Sequence, residues 1–330
     1  MEEINLCVDP SFHSDQPKTE IKNSKWEHNG RYMINDGFPL QLDIELNTTC
    51  NYNCIMCFQR FCKPKAEYMD FDMVVDLLQQ GRENHLESIK LQYRGEPLLY
   101  PKFLDVIRLA KIYNIYIHFN TNTSLLTEAM GKELIFSGAD KIICSIDSMF
   151  PDIYNKIRDG GNFQTILDNL TALRCWKTIY HKNTPLIRVQ AVKQEFNIQE
   201  LEEETYHSFW GLLADSIGYE EEFDFMDNSE DDTELPNWHC GQLWQRLVIL
   251  ADGEVIPCCG GIDYKDNKIY SVGNVNKELI TDIWNSKKLN KIREFHCEGN
   301  SHKVEMCRKC RVRKLVIKKI KGEKNEYEKV

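Results

Sequence analysis

From residue 41 onward the chain repeats one pattern, a short apolar or β-branched run followed by a longer amphipathic segment. The runs are QLDIEL, SIKLQY, IYIHF, DKIICSI and LIRVQAV, with a weaker sixth between Ser216 and Phe225. Between them FDMVVDLLQQG, PKFLDVIRLAKIY, SLLTEAMGKELIFSG and NFQTILDNLTALRCW place apolar residues three and four apart, the spacing of one helix face. Gly81 and Gly138 stand where helix C-caps are expected. Strict alternation over about 180 residues predicts a parallel sheet with helical crossovers, either open and doubly wound or closed into a barrel. Chemistry in both collects at the C-terminal strand ends.

The pattern then breaks. Residues 220–236 carry nine acidic side chains and end in proline, which reads as an exposed connector. After it QRLVILADGEVIPCC predicts a hairpin turning at Asp252-Gly253, and ELITDIWNSKKLNKIREF one or two helices. The basic end, RVRKLVIKKIKGEKNEYEKV, reads as a solvated or frayed tail. With 330 residues, 42% of them hydrophobic, the chain can bury a substantial core in about two domains. A net charge of −10 argues against nucleic acid and anionic lipid as partners. No apolar run approaches the ~18 residues of a spanning helix, and the polar start lacks the features of a secretory signal, so a cytoplasmic location is expected. Thirteen cysteines then read as metal ligands before disulfides.

Cys50, Cys54 and Cys57 form C-x3-C-x2-C in the loop after the first strand. A cubane cluster takes one thiolate per iron, so three thiolates leave one iron open, the mark of a site where a reactant reaches the metal. The alternative is part of a zinc site completed from afar.

A three-cysteine loop at this point of a six-strand alternating fold resembles the radical S-adenosylmethionine (SAM) enzymes, over roughly residues 40–315. The resemblance implies a partial (β/α)6 barrel of α/β class with a [4Fe–4S] cluster whose open iron is chelated by SAM. Reductive cleavage would then give a 5′-deoxyadenosyl radical that takes a hydrogen atom from substrate. RGEP resembles the family's GGEP segment through Gly95, Glu96 and Pro97, with Arg94 where the first glycine is usual. Met56 occupies the position before the third cysteine that lies near adenine. Asn120 and Asn122 match the polar end of the third strand, with Thr123 in place of glycine. Ser145 and Asp147 of SIDS match the segment meeting ribose and the methionine carboxylate, for which Arg158 is a further partner.

Downstream, Cys240, Cys258, Cys307 and Cys310 resemble the ligands of a SPASM or twitch extension, a small α+β iron–sulfur domain. Without any cysteine after Cys310 the resemblance implies one auxiliary [4Fe–4S] cluster rather than two. Cys259 competes with Cys258 as ligand, and zinc competes with iron. Cys259, if free and facing the cavity, is the expected catalytic hydrogen donor of an epimerase, whereas Cys7, Cys62, Cys144, Cys175 and Cys297 read as packed thiols. The expected boundaries are 1–38 for an N-terminal extension, 39–226 for the barrel, 227–236 for the acidic linker, 237–315 for the auxiliary domain and 316–330 for the tail.

The expected substrate is a small polar molecule, a sugar, nucleotide-sugar or aminocyclitol, dehydrogenated or epimerised. Maturation of a peptide or protein is the alternative, and a flavodoxin- or ferredoxin-type protein is the expected electron donor. Tyr93, Arg94 and His118 lie near strand ends, and nothing singles out one as a base.

Overall fold

The structure, a computed structural model, describes residues 17–322, so Cys7 and the final residues of the tail lie outside the described residues. Two compact units partition it, one spanning Ile44–Phe223 and the other joining the chain up to Asp43 to the stretch from Asp224 onward. Among the described residues no helix is long and apolar enough to cross a membrane.

Helix α1 (Pro17–Tyr32) and strand β1 (Gln41–Ile44) precede the first unit, which Ile44 opens. There α2 (Phe71–Glu83), β2 (Ser88–Lys90), α3 (Phe103–Ile112), β3 (Tyr116–Thr121), α4 (Glu128–Ser137) and β4 (Lys141–Ser145) alternate. They are followed by α5 (Pro151–Ile157), α6 (Phe163–Ile179), β5 (Leu186–Lys193), α7 (Ile198–Glu202), α8 (Glu204–Gly211) and β6 (Ser216–Glu221). The strands run in the order β2-β3-β4-β5-β6, and each recorded pair is parallel. All six expected strands form, and the parallel core is that of a partial TIM-type barrel.

Side chains alternate across β3 as strand geometry demands. Phe119 packs edge-on against Phe103 of α3, with ring centroids 4.9 Å apart, which directs Asn120 to the opposite face. Thr127 and Asn162 cap α4 and α6 through side-chain oxygens. Gly138 ends α4 in the left-handed region at φ +88, as its C-cap position demands. Gly81 does not cap. It lies inside α2, because a Cβ there would sit 2.8 Å from Leu86 Cδ2, and the helix continues to Glu83. Close approach, rather than backbone freedom, explains this glycine.

In the second unit β7 (Arg246–Ile249) and β8 (Glu254–Ile256) form the expected hairpin, with Gly253 at φ +85. Short strands β9 (Ile262–Asp263), β10 (Lys268–Ile269) and β11 (Gly273–Asn274) follow, and then α9 (Ile280–Trp284), α10 (Lys287–Cys297), α11 (Glu305–Arg308) and α12 (Arg311–Ile320). The order within this unit is β11-β8-β7-β1. Asp43 of β1 and Arg246 of β7 make a 2.9 Å ion pair with both side chains only 3% exposed, and Arg246 also lies over the Trp26 ring of α1.

Two expectations fail here. The basic segment from Arg311 is not frayed, since α12 buries Val316 and Ile317 against Leu235 and Trp238. Nor is the acidic stretch a free solvated connector. Arg313, 0% exposed, donates to the carbonyls of Asp231 and Thr233 and to Ser301 Oγ, while Lys314 pairs with Asp227 and Arg308 with Glu230. Part of each charge run is thus spent on the other, while Asp232 and Glu234 on one side and Lys318 and Lys319 on the other stay exposed. Arg313→Met is expected to lower stability by about 2–3 kcal/mol through its orphaned acceptors. Limited proteolysis should then cut within residues 224–236 several-fold faster than in the parent protein.

Candidate functional site

The loop after β1 carries the first three cysteines, and neighbouring backbone holds its shape. Asn53 and Ile55 donate to the carbonyls of Asp159 and Ile157, at 2.7 and 3.0 Å, and Cys57 N donates to Cys54 O. Cys50, Cys54 and Cys57 lie near enough to act on one another electrostatically, and burial raises all three thiols, Cys50 to about 11. Clustered buried thiolates are unfavourable without a cation, which is the setting an iron cluster satisfies. The donor set fits a four-iron cluster with one iron unclaimed by protein.

Residues that sequence reasoning missed fasten this loop to RGEP. Asn47 Nδ2 donates to Glu96 O at 3.0 Å, while its Oδ1 accepts from Thr49 N and Oγ1. Gln59 Nε2 donates to Thr48 O and Arg94 O, at 3.1 and 2.7 Å. The signal for Asn47 was a short polar residue two before Thr49, the pattern of an Asx turn, and for Gln59 there was none. Gly95 is the point of closest approach, where a Cβ would stand 2.4 Å from Asn47 O and 2.7 Å from Thr49 O. Arg94, the departure from the family pattern, makes a bidentate pair with Glu45, at 2.5 and 2.6 Å. The position left by the usual glycine therefore serves to tie the start of this unit to the end of β2.

Glu96 is 3% exposed, and burial pushes its carboxyl up to about 7. Its oxygens accept from Leu98 N, Thr121 Oγ1 and Asn122 N, at 3.2, 2.8 and 2.8 Å. A carboxylate has about four acceptor sites, so one remains for a cationic group. Asn120 presents a buried side-chain oxygen with no hydrogen-bond partner among the described residues, an acceptor suited to a polar cosubstrate. Asn122, by contrast, is engaged by protein, donating to Asn51 Oδ1 at 2.8 Å and to Cys50 Sγ at 3.9 Å while accepting from Ser124. Thr123 adopts φ +70, the conformation for which glycine is usual there.

Ser145 ends β4, half-buried and opposite Gln190 of β5. Asp147 accepts from Val192 N at 2.8 Å and from Arg158 Nε, and Arg158 Nη1 points at Cys54 Sγ from 3.8 Å. Two donors of the expected carboxylate partner Arg158 thus go to protein groups. Pro97 starts a 3-10 turn that Glu96 caps, and Met56 is half-buried between Cys54 and Cys57.

In the second unit Cys240, Cys258, Cys307 and Cys310 line one cavity together with His296 and Met306. A Cβ on Gly260 would lie 3.5 Å from Cys310 Sγ and 3.8 Å from Cys258 Sγ, so the bare glycine leaves room between two sulfurs. Burial drives Cys258 and Cys307 well above the ordinary thiol range. Four thiols in an apolar pocket fit an iron–sulfur cluster by donor chemistry. Cys259, adjacent to Cys258, is not among the lining residues, and its Sγ lies 3.3 Å from Gln242 Oε1. Of the remaining cysteines Cys144 is fully buried and Cys62 half-buried, whereas Cys175 and Cys297 are exposed rather than packed.

A profile of the radical SAM superfamily matches residues 44–174, and one of the SPASM iron–sulfur cluster-binding domain matches residues 240–311. The chain is a radical SAM family enzyme with a SPASM domain. The radical SAM domain binds SAM and a [4Fe–4S] cluster, and the SPASM domain binds auxiliary iron–sulfur clusters, so the zinc alternative gives way.

Among relatives, the enzyme is 28% identical over 294 residues to a Pyrococcus furiosus protein named tungsten-containing aldehyde ferredoxin oxidoreductase cofactor-modifying protein, covering 75% of this chain and 81% of that one. It is 27% identical over 149 residues to GTP 3′,8-cyclase of Alkaliphilus metalliredigens, covering 44% of this chain and 46% of the cyclase. Of solved structures, BtrN in complex with AdoMet and 2-DOIA shares the fold at TM-score 0.55 and 19% identity, over 84% of this chain and 94% of BtrN. Streptococcus suis SuiB bound to precursor peptide SuiA shares it at TM-score 0.60 and 16% identity, over 92% of this chain and 81% of SuiB.

Proposed function

We propose that this radical SAM enzyme takes a hydrogen atom from carbon in a small polar substrate, a sugar, nucleotide-sugar or aminocyclitol, with dehydrogenation or epimerisation as the outcome. The four-thiol cavity found among the described residues carries the reading, because it suits one auxiliary cluster, as in a twitch-type domain. The names of the Pyrococcus relative and of the cyclases, which concern a cofactor and a nucleotide, and the 2-DOIA complex of BtrN support a small substrate.

In this reading Cys50, Cys54 and Cys57 hold the cluster that meets SAM, and Cys240, Cys258, Cys307 and Cys310 hold the auxiliary one. Glu96 and the Gly95-Pro97 backbone receive the SAM ammonium group. Asn120 offers its buried oxygen to the cosubstrate, and Met56, Ser145 and Arg158 complete its surroundings. Asn122 and Asp147 position that site through Asn51 and Arg158. SAM bound on the reduced cluster supplies a 5′-deoxyadenosyl radical, for which a flavodoxin- or ferredoxin-type protein provides the electron. Cys259 is the hydrogen donor if the outcome is epimerisation.

A second reading, maturation of a peptide or protein, has one observation in its favour, the likeness to SuiB with its precursor peptide. Anaerobically reconstituted enzyme given dithionite and SAM tests both. Stimulation of 5′-deoxyadenosine formation by sugars, nucleotide-sugars or aminocyclitols, with loss of two hydrogens or gain of one deuterium in heavy water, supports the first. Stimulation by peptides alone sinks it.

Ligand choice in the second unit is checked by two serine variants. Cys258→Ser is expected to lose most auxiliary iron, and Cys259→Ser to retain it. Iron and sulfide analysis of each protein reads the difference.

A further inference from the structure

His296 of α10 is 2% exposed and stands between two of the four thiol-bearing residues of the second unit. Its ring contacts fix its tautomer. The backbone N–H of Cys240 donates to Nδ1 at 3.2 Å, and a backbone N–H cannot accept, so Nδ1 carries no proton. The neutral ring then bears its proton on Nε2, which lies 3.3 Å from Cys307 Sγ. Sequence reasoning had no use for this residue, since a lone histidine on a helix is ordinarily a packed one.

We propose that His296 is a positioning residue of the auxiliary cluster that donates an N–H···S hydrogen bond to Cys307, making the bound centre easier to reduce. The inference rests on the reading that Cys240, Cys258, Cys307 and Cys310 hold that cluster. Reduction adds negative charge that the thiolate sulfurs share, and a donor aimed at one of them stabilises the reduced state more than the oxidised one. The site is sheltered, so the bond is not diluted by water. Trp238 flanks the ring, with centroids 5.9 Å apart, and helps hold its plane. Arg313, a buried cationic side chain that also lines the cavity, directs its N–H groups to Asp231 O, Thr233 O and Ser301 Oγ rather than to sulfur. A merely packed histidine would have no reason to present its one proton to a ligand sulfur.

The test uses full-length protein in which Cys50, Cys54 and Cys57 are alanine, so that the auxiliary centre is observed alone. Its midpoint potential is read by redox titration followed by electron paramagnetic resonance, beside iron and sulfide content. His296→Leu is expected to keep its iron and titrate at a lower potential. His296→Gln, which retains an N–H donor, should fall between Leu and the parent. Deuterium electron–nuclear double resonance on the reduced parent should show an exchangeable proton near the cluster, absent in His296→Leu.

A Leu variant with full iron and an unchanged or raised potential overturns the proposal. So does a strong coupling to directly bound nitrogen in the parent, which would make His296 a ligand. Should the Leu variant hold no iron, the parent's exchangeable proton and the Gln variant's potential carry the test, and absence of that proton overturns it. If the parent triple-alanine protein itself holds no iron, the cluster assignment fails with it, a result distinct from an intact centre that ignores His296.

Discussion

Replacing Cys50, Cys54 and Cys57 together with alanine should bring 5′-deoxyadenosine formation to background while about four irons per chain remain. The two cysteine sets occupy different units, one in the loop after β1 and one in the cavity lined by α11 and the start of α12. The separation makes retention of the second set's iron the informative half of the result. Iron and sulfide analysis, with liquid chromatography for the nucleoside, measures both. Loss of all iron together would contradict two independent sites.

Gly95→Ala is expected to be the most damaging single substitution outside the cysteines. The added methyl would meet the backbone oxygens of Asn47 and Thr49, and Thr49 O accepts from Glu96 N while Asn47 Nδ2 donates to Glu96 O, so no side-chain rotation relieves the clash. Overpacking of this kind costs about 1–3 kcal/mol. The larger effect is on chemistry, because moving Glu96 and the cysteine loop by even ~1 Å should lower SAM cleavage about 100-fold. Gly211→Ala is the control, since among the described residues nothing lies within 4 Å of where its Cβ would stand. Thermal unfolding and single-turnover nucleoside formation, measured on both variants, separate the two costs. A Gly95→Ala protein with parental turnover would show that the close approach is not needed.

The six strands were legible because β-branched runs in alternation with amphipathic segments leave few other folds, and each run became a strand. The cysteine loop, RGEP and the four-cysteine set were legible because their chemistry depends on residue type and spacing. What surrounds them was not. Asn47 and Gln59 look in sequence like any polar loop residues, and only the fold shows their side chains reaching the carbonyls around RGEP. The basic segment was misread for a related reason. Lysines at its surface outweigh Val316 and Ile317, and the partners of Arg313 and Lys314 lie more than 80 residues upstream along the chain for several bonds, as with Asp231 at a separation of 82 and Asp227 at 87. Gly81 misled because a glycine near a helix end has two physical uses, and here Leu86 required the second.

The unit that bears the second cysteine set is assembled from both ends of the sequence. Trp26 O accepts from Gln245, and Gly30 O meets His239, so the first described helix docks on a hairpin region made more than 200 residues later. Ile44–Phe223 can therefore complete its core while the polypeptide is still emerging from the ribosome. The flanking unit must wait until Cys310 and α12 have been released. The loop after β1 can thus take its shape while the walls of the four-thiol cavity, which need α10, α11 and α12, are still being made.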